Sequence, residues 1–143
     1  MLKWDQKYSV NIDKFDRAHE ELFALINDMS DTMTSDSDRD KMVADAKNLR
    51  RFLQIHFVRE ERLMADFEVI NRDEHKNVHD GVYKRIEEAL SRLRENKTGA
   101  MTEMVSFLKD WLPDHIVKMD MQYGRVVYAR TANAPESQRI PTR

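Results

Sequence analysis

The sequence predicts an all-α fold, an up-down-up-down bundle of four helices, and two observations carry that prediction. Only three Gly and three Pro occur among the 143 residues, which is too few for the frequent turns of a β-sandwich or barrel. Apolar residues recur alternately three and four positions apart in four successive segments, as in helices packed at shallow angles. Because short polar breaks separate the segments, we expect the helices to alternate in direction around one core.

An N-terminal arm of about twelve residues comes before the first helix and carries apolar side chains among polar ones. We expect it to be extended and to pack on the bundle through Trp4, Tyr8, Val10 and Ile12. The first helical segment is predicted from about Asp13 to Met33. The break SDSDRD (35–40) then offers several N-caps for a second helix, whose apolar seam extends from Met42 to Phe67.

The third segment follows Asn71, and a loop around ENKTGA (95–100) separates it from the fourth, whose seam begins at Met101. Pro113 falls inside the fourth pattern, where it removes a backbone donor and clashes with the carbonyl four residues earlier. Because the seam continues on both sides of this proline, we expect a kink rather than a break.

We assign residues 1–130 to the bundle and 131–143 to a short, flexible, disordered tail. The tail sequence TANAPESQRIPTR has no helical periodicity and contains two prolines, as is typical of disordered termini.

Composition excludes several classes of protein. Lys and Arg number 24 against 26 Asp and Glu, so there is no basic excess for binding nucleic acid. The absence of cysteine excludes disulfide, zinc-finger and iron–sulfur frameworks. The N-terminus lacks the apolar core of a signal peptide, and no stretch approaches a membrane span. We therefore expect a soluble cytoplasmic protein.

All five histidines fall on the predicted helical seams. A lone histidine on an apolar face is usually a hydrogen-bonded core residue. Five imidazoles spread over all four helices have few ways to satisfy one another without a metal. The set is His19, His56, His75, His79 and His115.

The spacing of these histidines supports a metal site. His56 precedes Glu60 by four residues, as His75 precedes His79, and side chains four apart stack on one helix face. Glu60 is the only acidic residue on the second seam. A buried carboxylate there costs several kcal/mol unless it is paired or bound to metal.

Asp120 follows His115 by five residues, about 140° around a regular helix. The two side chains converge only if the helix is distorted, by a kink at Pro113 or a π-bulge, or if Asp120 reaches sideways. Seven donors exceed the need of one ion and suit two ions bridged by carboxylates. Imidazole with little carboxylate favours iron, copper, zinc or nickel over calcium or magnesium.

These ordered motifs resemble the hemerythrin family, in particular the bacterial hemerythrins. The resemblance covers WDQKYSVNIDKFDRAHEELFALIN, HFVREE, HKNVH and WLPDHIVKMD, nearly the whole chain to about Tyr123. It implies two non-haem iron ions, Fe2+ or Fe3+, bridged by Glu60, Asp120 and an oxo or hydroxo group. One iron would be held by His75, His79 and His115. The other would be held by His19 and His56 and keep an open position for dioxygen.

A dry pocket beside the open iron follows from the same resemblance. By their positions in the chain we assign four residues to it, with ordinary core packing as the alternative: Leu22, Phe57, Trp111 and Leu112. Tyr123 follows Asp120 by three residues and is expected near the site, where its hydroxyl needs a partner.

The resemblance implies reversible dioxygen binding for storage, transport or delivery, and not an enzyme. A second hypothesis is an oxygen or redox sensor that acts through an unknown protein partner. A di-iron enzyme that handles peroxide or nitric oxide comes third, because ferritin-like di-iron oxidases use more carboxylates than this histidine-rich set provides.

Overall fold

The computed structural model describes residues 1–33, 39–95, 97 and 99–132, and within these ranges every regular element is helical. The long helices are α1 (Asp13–Thr32), α2 (Arg39–Asp66), α3 (Arg72–Arg94) and α4 (Gly99–His115). A π-helical turn (Ile116–Asp120) joins α4 to α5 (Met121–Thr131), so that these three elements form the fourth helix of the bundle. The predicted four-helix, all-α fold is confirmed. The break at 34–38 and the tail from 133 lie outside the described residues.

The apolar seams form the core as predicted. The residues that recur three and four positions apart, from Phe15 in the first segment to His115 in the fourth, are buried, except Met33, Phe67 and Trp111, which are half-buried. The core extends along the helices beyond the histidines, where Leu49, Ile86 and Leu93 are fully enclosed. Close packing of these side chains supplies most of the stability of the helices, because intrinsic helix propensity alone contributes little in a folded protein.

The N-terminal arm is held on α1 by a buried carboxylate. Asp16 accepts hydrogen bonds from the Ser9 hydroxyl at 2.6 Å and from the Val10 amide at 2.8 Å. The arm is not fully extended, since residues Gln6–Tyr8 form a 3-10 turn capped by the carboxylate of Asp5. Val10 and Ile12 are buried as expected, and Trp4 packs against Phe23 with ring centroids 5.8 Å apart.

The arm also crosses close to the last helix at Gly124. A Cβ on this residue would lie well inside van der Waals distance of the Val10 carbonyl oxygen. Gly124→Ala should therefore displace the arm from the last helix and lower the free energy of unfolding by about 1–3 kcal/mol, as overpacking does. Urea unfolding measures this change.

Gly81→Ala is the matched control. Gly81 lies inside α3 with open space around its Cα, so alanine should raise stability by about 0.4–1 kcal/mol. Equal effects of the two substitutions would show that the arm does not pack on Gly124.

Candidate metal centre

Seven side chains from all four helices of the bundle meet at one level of the core. Each is at most 4% exposed to solvent. Spacing of three and four residues places each of these side chains on the inner face of its helix. Side chains from the facing helices therefore meet in one layer of the core. The set is the one predicted from the sequence: His19, His56, Glu60, His75, His79, His115 and Asp120.

The donor atoms divide into two groups, within each of which they lie no more than 4.8 Å apart. The larger group combines His75, His79 and His115 with Asp120, and the smaller combines His19 and His56 with Glu60. The larger group is crowded, since the Nε2 atoms of His75 and His115 face each other at 3.1 Å. Two imidazole nitrogens aimed at one point are a typical arrangement of metal ligands.

Asp120 stands between the two groups. Its Oδ1 lies 2.9 Å from His75 Nε2 and 3.1 Å from His115 Nε2, and its Oδ2 lies 3.1 Å from His19 Nε2. The two oxygens of one carboxylate thus face different groups. That is the geometry required of a bridging ligand.

Glu60 also reaches both groups. Its Oε1 lies 3.1 Å from His56 Nε2 and 3.6 Å from His79 Nε2. Its Oε2 accepts a hydrogen bond from the hydroxyl of Tyr123, which was expected near the site and is fully buried. Tyr123 therefore fixes the orientation of Glu60.

The π-helical turn explains how His115 and Asp120 converge. The Met121 amide donates to the Ile116 carbonyl, a hydrogen bond that spans five residues instead of four. A turn of this width places residues five apart on one face, which a regular helix would set about 140° apart. Pro113 itself lies within α4, so the distortion that the pair needs is centred after this proline.

The carboxylates are strongly acidic in the absence of metal. Burial opposes the ionisation of Asp120, but the imidazoles of His115, His19 and His75 close around it hold its pKa well below the ordinary value. Burial and the charge of Asp120 oppose the ionisation of Glu60, yet His56 and His19 lower its pKa. Both groups are thus ionised, the form that binds metal.

The imidazoles of the centre differ from one another in pKa. Burial alone would lower the pKa of His19, but Asp120 and Glu60 outweigh it and raise that pKa to about 9. Burial lowers the pKa of His79 to about 3. His79 is therefore neutral at pH 7, whereas His19 must lose a proton before it can bind a metal.

Several buried nitrogen and oxygen atoms that could bind a metal at this centre have no hydrogen-bond partner. They include both ring nitrogens of His19, Nε2 of His79, Oε1 of Glu60 and both carboxylate oxygens of Asp120. Buried polar atoms are nearly always satisfied in native proteins. The close nitrogens and oxygens around Asp120 lack hydrogen-bond geometry, so two metal ions fit this set better than mutual hydrogen bonding does.

The family model described as the hemerythrin HHE cation binding domain matches residues 10–127. The chain belongs to the hemerythrin family. A hemerythrin-like protein of Naegleria gruberi is 34% identical over 126 residues, which cover 88% of this chain and 93% of the relative. A bacteriohemerythrin of Clostridium acetobutylicum is 25% identical over 127 residues, 86% of this chain and 98% of the relative.

Solved structures show the same fold. A crystal structure of wild-type hemerythrin matches with a TM-score of 0.79 at 22% identity, and the match covers 88% of this chain and 97% of that chain. A substituted variant of hemerythrin matches with a TM-score of 0.81 at 23% identity, over 88% and 96% of the two chains. At these identities the match shows the hemerythrin fold alone.

In this hemerythrin-family bundle two of the four predicted pocket residues contact the proposed ligands. Phe57 stacks on the His79 ring at 3.9 Å, and Trp111 stacks on the His115 ring at 4.3 Å. Leu22 and Leu112 are buried. The two aromatic residues thus cover the three-histidine group, and the assignment of all four to an oxygen pocket stays a prediction.

Sequence analysis missed one residue beside this hemerythrin-family centre. Glu61 Oε2 lies 2.8 Å from Nδ1 of His79. Glu61 is off the apolar seam of α2 and is half-buried, so its position gave no sign of contact with the core. Its place directly after Glu60 in HFVREE was the only available signal.

Proposed function

We propose that this protein holds two iron ions between its helices and binds dioxygen reversibly there. The observation that carries the proposal is the position of Asp120, whose two oxygens face the two histidine groups at 2.9–3.1 Å. A carboxylate in that position, among donors without partners, suits two ions rather than one.

The two proposed ions would have different numbers of histidine ligands. Three imidazoles, from His75, His79 and His115, would hold one ion, whereas His19 and His56 would hold the other. Both carboxylates would bridge. The ion with fewer protein ligands would keep a position open, and an iron pair, when bound, supplies the reversible redox chemistry that dioxygen binding needs.

The surrounding residues support binding over catalysis. Leu22 and Leu112 are buried and lie three residues along the chain from the proposed ligands His19 and His115. A dry apolar lining in that position would exclude water and stray protons. Tyr123 donates a hydrogen bond to Glu60, and burial together with the nearby carboxylate charges raises the pKa of Tyr123 well above the ordinary value. Tyr123 thus remains protonated and is no acid at neutral pH. Membership of the hemerythrin family supports the same proposal.

Iron content is the first test of this proposal. We expect two iron ions per chain after anaerobic reconstitution with Fe2+, because seven donors exceed the need of one ion. Metal analysis of the desalted protein measures the ratio. A single ion per chain would contradict the proposal.

Reversibility is the second part of the same experiment. Cycles of oxygen addition and removal, followed by absorption spectroscopy, should return the iron-loaded protein to its starting spectrum. Consumption of dioxygen with each cycle would instead indicate an oxidase.

Location and partners extend the proposal. None of the described helices is long and apolar enough to cross a membrane. The cytoplasmic location, the unknown protein partner and the division into a bundle (1–130) and a flexible tail (131–143) stay predictions. The last helix, α5, includes Thr131, the first residue that was assigned to the tail.

A further inference from the structure

A carboxylate outside the seven proposed ligands contacts one of them. The Oε2 atom of Glu61, on α2, lies 2.8 Å from Nδ1 of His79, on α3. The His79 side chain is 1% exposed and that of Glu61 is 22% exposed, so the contact lies at the edge of the core. Phe57 stacks on the same imidazole at 3.9 Å with an interplanar angle of 5°. The ring is thus held on its face and at its outer nitrogen.

This arrangement sets His79 apart from the other imidazoles. The Nδ1 atoms of His19, His56 and His75 are buried and have no hydrogen-bond partner. In the part of the chain that the structure describes, the carboxylate contacts of these three histidines are all made through Nε2. His79 therefore combines a carboxylate at Nδ1 with an Nε2 that points into the centre.

The chemistry of this contact follows from the two ring nitrogens. A neutral imidazole carries a proton on only one of its two ring nitrogens. A carboxylate at Nδ1 favours the proton at Nδ1, which leaves the lone pair of Nε2 free to bind a metal. A carboxylate partner also fixes the ring and makes the ligating nitrogen a stronger electron donor. His79 Nε2 has no hydrogen-bond partner of its own, which agrees with this assignment.

We propose that Glu61 is a positioning residue for the iron held by His75, His79 and His115, and that it stabilises the ferric state of that iron. The inference rests on the proposed di-iron centre. Since the three-histidine group alone receives this carboxylate through His79, Glu61 makes the two irons unequal in electron supply.

Two substitutions separate the hydrogen bond from the charge. Glu61→Ala removes both, whereas Glu61→Gln keeps an oxygen that can accept a hydrogen bond from Nδ1–H and loses only the charge. Asp80→Asn is the matched control, because Asp80 is the exposed neighbour of His79 in the chain and pairs with Lys76 at 2.8 Å. It removes one nearby negative charge without touching the imidazole. Circular dichroism of each full-length variant verifies folding.

Retention of Zn2+ against a chelator tests positioning without redox chemistry. Glu61→Ala should hold Zn2+ roughly 10- to 100-fold more weakly than wild type, whereas Glu61→Gln and Asp80→Asn should stay within a few-fold. The midpoint potential of the iron-loaded protein tests the charge, and it should become more positive in both Glu61 variants but not in Asp80→Asn.

The outcomes are distinguishable from failure of the proposed function. If wild type holds Zn2+ but not two irons, the di-iron proposal fails while the Zn2+ comparison still tests the link between Glu61 and His79. If wild type holds two irons and Glu61→Ala matches Asp80→Asn in Zn2+ retention or in potential, the inference about Glu61 is wrong.

Discussion

Glu60→Ala is expected to reduce bound iron from two ions per chain to one or none. The substitution removes a carboxylate whose Oε1 faces both histidine groups, at 3.1 Å from His56 and 3.6 Å from His79. It also leaves the Tyr123 hydroxyl without its acceptor. Iron analysis after anaerobic reconstitution measures the loss, and the absorption of an iron pair should disappear with it.

The apo form of this variant should still fold, because apolar core residues extend beyond the ligand layer on every long helix. Wild type should gain stability from iron by mass action on the native state, and the variant should gain less. Glu88→Ala, an exposed change on α3, is the control and should leave iron content unchanged. Two irons with an unaltered spectrum in Glu60→Ala would exclude a bridging role for Glu60.

The helices of this fold were predictable because their signal is periodic and local. A residue such as Leu49 or Ile86 is buried because the three-four rhythm places it on the inner face, and no distant contact has to be known. The histidines followed the same rhythm, so the structure brings all five together as the sequence indicated. Ligand pairs four residues apart needed only regular helix geometry.

The features that sequence reasoning missed or left open depend on distant or irregular contacts. The 3-10 turn at Gln6–Tyr8 forms on an arm that is held by Asp16, and nothing in the local sequence predicts where a buried aspartate will bond. The π-helical turn was one of several possible distortions, because a proline at 113 did not show whether the helix would kink or widen. Glu61 lies off the seam, and its contact with His79 depends on the register of α2 against α3.

Leu112→Ala is expected to make dioxygen binding by the iron-loaded protein less reversible. Leu112 is buried in α4, one turn before His115, and the proposed open position lies in a lining that excludes water. Truncation to alanine should admit water and small anions, so that ferric protein accumulates faster after exposure to dioxygen. We expect a rate increase on the order of tenfold, which corresponds to ~1.4 kcal/mol in the barrier.

Leu108→Ala controls for loss of packing, because Leu108 is equally buried one turn further from His115. Both variants should lose roughly 2–5 kcal/mol of stability, but only Leu112→Ala should accelerate conversion to the ferric form in the same buffer and oxygen. Equal oxidation rates in the two variants would make Leu112 an ordinary core residue. If wild type itself never returns intact dioxygen when the gas is purged, reversible binding is excluded, and sensing or catalysis takes its place.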